Sequence, residues 1–157
     1  MGLLLKRTAL QALNTDFVRS WRHAQCDSYS PTAATVAKFT VTNGPVLGHL
    51  ILGTIDTTLE TTASNVSVVI NPTTGTSDDL ATTADATGAL AGDFLVVEGD
   101  GTAVVVAPVR IFPVGAPVPF LVPTGTIDIV HAAAMTGTLH WDFWYEPLSE
   151  NATVTSD

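Results

Sequence analysis

The chain is poor in cysteine, since its 157 residues contain one, Cys26. A single thiol excludes a disulfide framework within the chain and any metal site built from several cysteines. This scarcity is typical of proteins from a reducing compartment. No sequence motif pairs Cys26 with a histidine, so we expect an unreactive thiol.

Charged residues are also scarce, at 13% of the chain against 46% hydrophobic residues. Many of the remaining residues are small or β-branched, which favours extensive β-structure with wide apolar or hydroxyl-bearing surfaces. Such surfaces are common where a protein is buried in an assembly. No apolar run approaches the roughly 20 residues that a membrane-spanning helix requires. Lys6 and Arg7 follow the leucines instead of preceding them, which does not fit a signal peptide. We therefore expect no membrane partner.

The few basic residues are unevenly distributed along the chain. The net charge is −9, yet four of the six basic residues lie in the first 22 positions with a single acidic residue, Asp16. That segment therefore carries +3 and the remainder −12. Phosphate binding needs clustered lysine and arginine, so an acidic body argues against a nucleic-acid partner.

The N-terminal segment has the spacing of an amphipathic helix, because apolar residues recur every three or four positions up to Trp21. We assign residues 1–30 to a basic arm or short helix. It either folds back on its own domain or reaches a neighbouring subunit. The candidate interface residues are Leu10, Leu13, Phe17, Arg19, Trp21 and Arg22, together with Trp144 near the C-terminus.

The stretch from Gly125 to Leu148 carries the strongest β-signal. Ile127, Ile129 and His131 alternate with more polar residues, and a second alternation places Leu139, Trp141, Phe143 and Tyr145 on one face. Period-two patterning predicts that this face is buried. We interpret the two strands as a hairpin whose aromatic side chains form the centre of the core.

An earlier part of the chain predicts a second hairpin, at Asn43-Gly44, between a strand ending at Thr42 and a long strand over Val46–Leu59. The long strand is apolar on both sides, which predicts that part of it is covered twice. One side carries Leu47, Ile51 and Ile55, and the other carries Val46, Leu50 and Leu52.

Further strands are predicted at 66–70, 93–97, 102–107, 109–112 and 119–122, with 98–101 as a tight turn and residues 76–90 as a long surface loop. About eight strands without a βαβ rhythm predict an all-β fold. We expect a two-sheet sandwich, in the simplest case a jelly roll, over residues 31–148, with a polar tail over 149–157.

Candidate catalytic residues do not form a recognisable motif. There is no nucleophile elbow and no glycine-rich phosphate loop, so we expect no enzymatic activity and no cofactor. His140 and Asp142 share a strand face, but His131 falls on the opposite one, so we expect no metal site. Trp144 lies beside Asp142 on the polar side, where an indole could anchor an interface, lie beneath the N-terminal arm or stack on a sugar.

The C-terminal motifs run in the order Gly125-Thr126-Ile127, Thr136-Gly137, Trp141, Tyr145-Glu146-Pro147-Leu148 and Asn151-Ala152-Thr153-Val154. In this order the chain resembles small structural proteins of tailed bacteriophages, in particular capsid decoration or cement proteins. From Gly44 onward the resemblance is one of general character, and it offers no functional residues to carry over.

The resemblance implies a β-sandwich that trimerises and clamps neighbouring subunits of the major capsid protein. Such a protein is made in the host cytoplasm and resides on the capsid exterior of the virion. The alternative function is a receptor- or glycan-binding module of a phage tail. Its binding surface would combine Trp144 with the 76–90 loop.

Overall fold

The computed structural model describes residues 21–60, 65–97, 105–107 and 118–157, with only the backbone given for 105–107. The described residues form eleven strands and no helix. In chain order the strands are β1 (Arg22–Gln25), β2 (Thr35–Thr42), β3 (Val46–Thr57), β4 (Asn65–Pro72), β5 (Asp78–Asp85), β6 (Phe94–Val97), β7 (Val105–Ala107), β8 (Phe120–Val122), β9 (Gly125–His131), β10 (Thr138–Pro147) and β11 (Thr153–Ser156).

The strands form two antiparallel sheets that pack as a sandwich, which confirms the predicted fold class. Sheet A has the order β1-β10-β3-β6-β7, with β8 paired to the first residues of β3. Sheet B has the order β11-β2-β9-β4-β5. Strand β9 returns late in the chain to lie between β2 and β4, a long connection of the Greek-key kind from which jelly rolls are built.

The inner faces of β9 and β10 supply much of the core, as their alternation predicts. Trp141, Phe143, Ile127 and Ile129 are fully buried in one continuous apolar cluster. The predicted hairpin between these strands is wrong, however, because β9 lies in sheet B and β10 in sheet A. Alternation identifies the buried face of each strand. The same alternating pattern arises whether two strands pair within one sheet or face each other across the core from opposite sheets.

The Asn43-Gly44 turn is where predicted, with positive φ angles of 61° and 131°. A side chain at Gly44 would also collide with Ser149. The turn nevertheless does not make a paired hairpin, because it carries the chain from β2 in sheet B to β3 in sheet A. This is the same error as for β9 and β10, since sequence neighbours are again in opposite sheets.

Strand β3 contains a β-bulge that changes which of its residues face the core. Its pairing with β10 passes from Leu50 opposite Trp144 to Gly48 opposite Tyr145, which leaves His49 as the extra residue. As a result Val46 joins Ile51 in the core, and Leu47 does not. The predicted sides of β3 are therefore correct from Leu50 onward and inverted before the bulge.

Residues 76–90 are not the predicted surface loop. Asp78–Asp85 forms β5, which pairs with β4 along the edge of sheet B and buries Leu80 and Ala81. Strand propensity depends on context, and a neighbouring strand provides the hydrogen bonds that a Thr- and Ala-rich segment cannot supply alone. By contrast, the predicted pair at 93–97 and 102–107 is present as β6 and β7.

Both ends of the described chain are incorporated in the sandwich. Residues 22–25, which the sequence assigns to the arm, form β1 at the edge of sheet A. Residues 153–156, which it assigns to the polar tail, form β11 at the edge of sheet B. The predicted helix before Trp21, the 98–101 turn and the predicted strand at 109–112 lie outside the described residues. The described part of the chain holds no helix of the length and hydropathy that a bilayer crossing requires.

Candidate functional site

The outer face of sheet A, the face turned away from the core, carries an unusual set of side chains. Cross-strand pairing places His23, Trp144 and Leu50 in one row, and Gln25, Asp142, Leu52 and Val96 in the next. His140, Thr54 and Phe94 form a third row. Four aromatic or histidine side chains and two acidic or amide groups thus share this face with aliphatic residues and Thr54.

An apolar cluster occupies the middle of this outer face. Leu52 and Val96 are 8% and 2% exposed, and Leu50, Phe94 and Trp144 pack against them half-buried. Strand β3 is therefore buried on both faces at this level, as its two-sided apolar sequence predicts.

Next to that cluster lies an exposed apolar patch formed by Trp21 and Leu121 together with the half-buried Leu47. Leu121 pairs directly with Leu47 across β8 and β3. Trp21 and Leu121 are 61% and 60% exposed. Trp21 stacks on His49 with a centroid separation of 4.2 Å, which holds the indole against the sheet. Rigid, solvent-exposed aromatic side chains of this kind are typical anchors of protein interfaces.

A histidine–aspartate chain, comprising Ser28, Asp56, His140, Asp142 and His23, runs along the same outer face. The Ser28 hydroxyl donates to Asp56 over 2.5 Å, and Asp56 Oδ1 lies 2.8 Å from His140 Nδ1. His140 Nε2 then lies 3.4 Å from Asp142 Oδ2, and Asp142 Oδ1 lies 2.6 Å from His23 Nε2. The chain joins three separate segments, because Ser28 and His23 flank or belong to β1, Asp56 belongs to β3, and the other two belong to β10.

Two features of this chain show how strongly its groups interact. Partial burial acts to raise the pKa of Asp56, but the hydrogen bonds from Ser28 and His140 and the charge of His140 outweigh it, so that pKa lies below the ordinary value. The two ring nitrogens of His140 lie near different carboxylates, since Nδ1 is hydrogen-bonded to Asp56 and Nε2 is within ion-pair distance of Asp142.

The predicted interface residues fall partly within this region. Trp21 belongs to the exposed apolar patch, and Trp144 stacks on His23 at 4.8 Å. Arg22 donates to the Ala152 carbonyl over 3.3 Å, which ties β1 to the segment before β11. Leu10, Leu13, Phe17 and Arg19 lie outside the described residues.

The alternative function predicts a glycan-binding surface that combines Trp144 with the 76–90 loop. The structure does not bring these two elements together. His23 already covers one side of the Trp144 indole, and Trp144 also packs into the outer apolar cluster. The 76–90 segment forms β5 in sheet B, whereas Trp144 lies on sheet A. These two elements therefore do not meet in one binding surface.

A second polar group lies inside the sandwich around Tyr29. The Trp141 indole donates to the Tyr29 hydroxyl over 3.0 Å, and that hydroxyl lies 2.9 Å from His131 Nε2. The Lys38 ammonium lies 3.5 Å above the centre of the Tyr29 ring. Burial, with a smaller effect from the Lys38 charge, lowers the pKa of His131 to about 4. Because Tyr29, Lys38 and His131 are packed in the core region, this group stabilises the fold and offers no open binding site.

Metal-ligating side chains and the thiol of Cys26 are the remaining candidates for chemistry among the described residues. They contain no cluster of three or more histidine, cysteine, aspartate or glutamate side chains suited to a metal ion. His131 is buried on β9 in sheet B, whereas His140 lies on the outer face of sheet A, so the two side chains do not share a surface. Cys26 is buried and accepts the Trp141 backbone N–H at 3.2 Å, and burial raises the pKa of its thiol. A raised pKa disfavours the reactive thiolate.

The sequence shows only part of the histidine–aspartate chain. His140 and Asp142 are visible as a pair two residues apart on one strand face. His23 and Asp56 are not, because their contacts span 119 and 84 positions of the sequence. The pairing of β1 and β3 on either side of β10 is what brings them together.

Comparisons with known proteins do not identify a family for this chain. No family model matches the chain, and no curated protein matches it. Among solved structures, it is similar to a chain in the structure of infectious bursal disease virus, Gx strain, with 13% sequence identity and a TM-score of 0.25. The match covers 87% of this chain and 36% of that chain, so this protein spans about a third of the other's length. A likeness this low carries no argument about function.

Proposed function

We propose that this protein is a structural component of a virion, which binds an assembled bacteriophage capsid and stabilises it by bridging neighbouring capsid subunits. The observation that carries the proposal is the exposed apolar patch on the outer face of sheet A. Trp21 and Leu121 are more than half exposed there and lie beside a further apolar cluster. Exposed apolar side chains do not stabilise an isolated sandwich, whereas docking against another protein would remove them from water.

The C-terminal resemblance to capsid decoration proteins supports the same function. In such a role the protein binds the assembled shell and not its free subunits. A ligand of this kind stabilises the shell by mass action, by about 2.7 kcal/mol when its free concentration is a hundred times Kd. The proposal assigns the protein no reaction and no cofactor. It expects a homotrimer on the capsid exterior, which light scattering of the purified protein would test.

Co-sedimentation with empty capsids of the encoding phage tests the docking face. Leu121→Asp places a charge in the exposed apolar patch and should weaken binding at least about thirtyfold, the effect of losing an interface anchor. Thr126→Asp is the matched control, because it adds the same charge to the outer face of sheet B. Equal binding by wild type and Leu121→Asp would refute this docking face, and a lack of binding by wild type would refute the capsid role.

Thermal dissociation of the capsid provides an independent test of stabilisation. Capsids saturated with the wild-type protein should release their subunits at a higher temperature than bare capsids. Capsids mixed with Leu121→Asp should behave as bare ones at the same protein concentration. An unchanged dissociation temperature with saturating wild-type protein would contradict the stabilising role.

A further inference from the structure

The N-terminal strap, residues 21–29, is fastened to sheet A partly by side-chain contacts that involve three histidines. Trp21 stacks on His49, His23 contacts Asp142, and Ser28 donates to Asp56, which in turn contacts His140. The backbone of the strap also pairs with β10, through Cys26 N–H to the Trp141 carbonyl and Tyr29 N–H to the Leu139 carbonyl. The outward side chains of the strap thus contact histidines and their acidic partners, whereas Cys26 and Tyr29 pack in the core.

We propose that the histidine–aspartate chain is a proton-dependent clip, which holds the N-terminal strap against sheet A when its histidines are charged and loosens it when they are neutral. The geometry of His140 carries the proposal. Its two ring nitrogens lie 2.8 Å from Asp56 and 3.4 Å from Asp142. A neutral imidazole can keep the Asp56 hydrogen bond through its one N–H, whereas the imidazolium also places a positive charge beside Asp142.

The other charged groups around the clip also favour a held strap when the histidines are protonated. The Asp142 side chain is only 9% exposed and lies between His140 and His23. Within the described residues, the cationic partners that the structure gives Asp56 and Asp142 are these two histidines. At the other end of the strap, His49 Nε2 lies 3.8 Å from Glu146 Oε2. Loss of the histidine protons therefore leaves Asp56 and Asp142 as two negative charges on either side of a neutral ring.

The direction of the pH response follows from this arrangement. Histidine changes charge between about pH 5 and pH 8. As the pH falls through that range the clip gains positive charge opposite its carboxylates and the strap is held. As the pH rises the charge is lost, and the strap opens more often. If the proposed docking function holds, opening also displaces Trp21 from the exposed apolar patch, so shell binding weakens at alkaline pH.

Backbone amide exchange of the free, full-length protein tests the clip without any capsid. Because Cys26 and Tyr29 beyond β1 are also anchored in the core, the reporters are the amides of β1 that pair with β10. After correction for intrinsic exchange rates, their protection should fall at least fivefold between pH 6 and pH 8.5. Amides of β2 paired with β9 in sheet B serve as the internal reference and should not change.

Two variants separate the clip from a general loosening of the fold. His140→Gln retains a polar side chain that cannot be charged, so strap protection at pH 6 should be lower and its pH dependence smaller than in the wild type. His23→Gln, at the more exposed edge, should remove part of the pH dependence and serves if His140→Gln does not fold. The clip is refuted if wild-type protection is the same at both pH values, or if both variants keep the full wild-type response. Because no shell is present, this outcome is independent of whether the protein binds a capsid.

Discussion

The outer faces of the two sheets present different chemistry to their surroundings. Sheet A shows the exposed patch of Trp21, Leu47 and Leu121 beside the histidine–aspartate chain. Sheet B shows mainly short hydroxyl and amide side chains, namely Thr40, Thr42, Ser67, Asn71, Thr126, Thr153 and Thr155. Threonine is a good strand former and needs no partner to cover it. Under the proposed function, sheet A faces the capsid and sheet B faces solvent.

Replacing each of the two tryptophans of β10 compares the inner face of sheet A with its outer face. The replacement on the inner face should give the largest loss in the free energy of unfolding. Trp141 is fully buried and donates to Tyr29, so Trp141→Ala should lower the free energy of unfolding by about 3–5 kcal/mol. Trp144→Ala removes a half-buried ring from the outer cluster and should cost about 1–2 kcal/mol. Urea unfolding monitored by circular dichroism measures both, and equal losses would contradict the assigned faces.

Acid titration distinguishes the histidine of the core from those of the outer face. The pKa of His131 is about 4 in the folded protein, below that of an unfolded histidine, so the unfolded chain binds the extra proton first. Stability should therefore fall as the pH drops from about 6.5 towards 4, by about 3 kcal/mol from this group. Unfolding experiments at pH 7 and pH 4 should show this loss in the wild type and a smaller one in His131→Gln. The same loss in both proteins would contradict the assignment.

Removing an interface residue from sheet A should change the free energy of capsid binding by less than Trp141→Ala or the drop to pH 4 changes the free energy of unfolding. Trp21→Ala should weaken co-sedimentation with the capsid by about 2 kcal/mol, or roughly thirtyfold, with little change in unfolding. Thr155→Ala on sheet B is the control and should bind as the wild type does. If Thr155→Ala weakens binding more than Trp21→Ala does, the docking surface lies on sheet B and not on sheet A.

The smallest effect is expected on the outer face of sheet B. The hydroxyls of Thr42 and Thr153 lie 2.9 Å apart across β2 and β11, at an exposed edge. Thr153→Val removes this contact and keeps the β-branched shape, so the free energy of unfolding should change by no more than about 0.5 kcal/mol. A loss above 2 kcal/mol would mean that this face is packed against something.

Local patterns in the sequence predict most of the strands but only one of the three predicted hairpin pairings, that of β6 with β7. Alternation at Trp141, Phe143, Ile127 and Ile129 identifies the inner faces correctly, because burial depends on the side chains of one strand. It does not show that β9 and β10 lie in opposite sheets, because that choice depends on contacts with β2 and β3 far away in the sequence. The predicted hairpin fails for this reason.

The candidate site was predictable to the extent that its parts are local. Trp144 and the His140–Asp142 pair stand out as outward-facing side chains of an alternating strand. The bulge at His49 leaves no clear sequence signal, although it decides that Leu47 and not Val46 joins the exposed patch. The contacts of His23 and Asp56 arise only when β1 and β3 flank β10, so no local pattern could reveal them.

Hydroxyl-radical footprinting of the protein, free and bound to capsids, tests most directly whether the outer face of sheet A is covered by other protein. Labelling of Trp21 and Leu121 should fall at least fivefold on binding, while that of Val69 and Val130 on the outer face of sheet B should stay within about twofold, since only buried side chains lose access to the radical. Unchanged labelling of Trp21 and Leu121, together with protection of Val69 and Val130, would contradict the account.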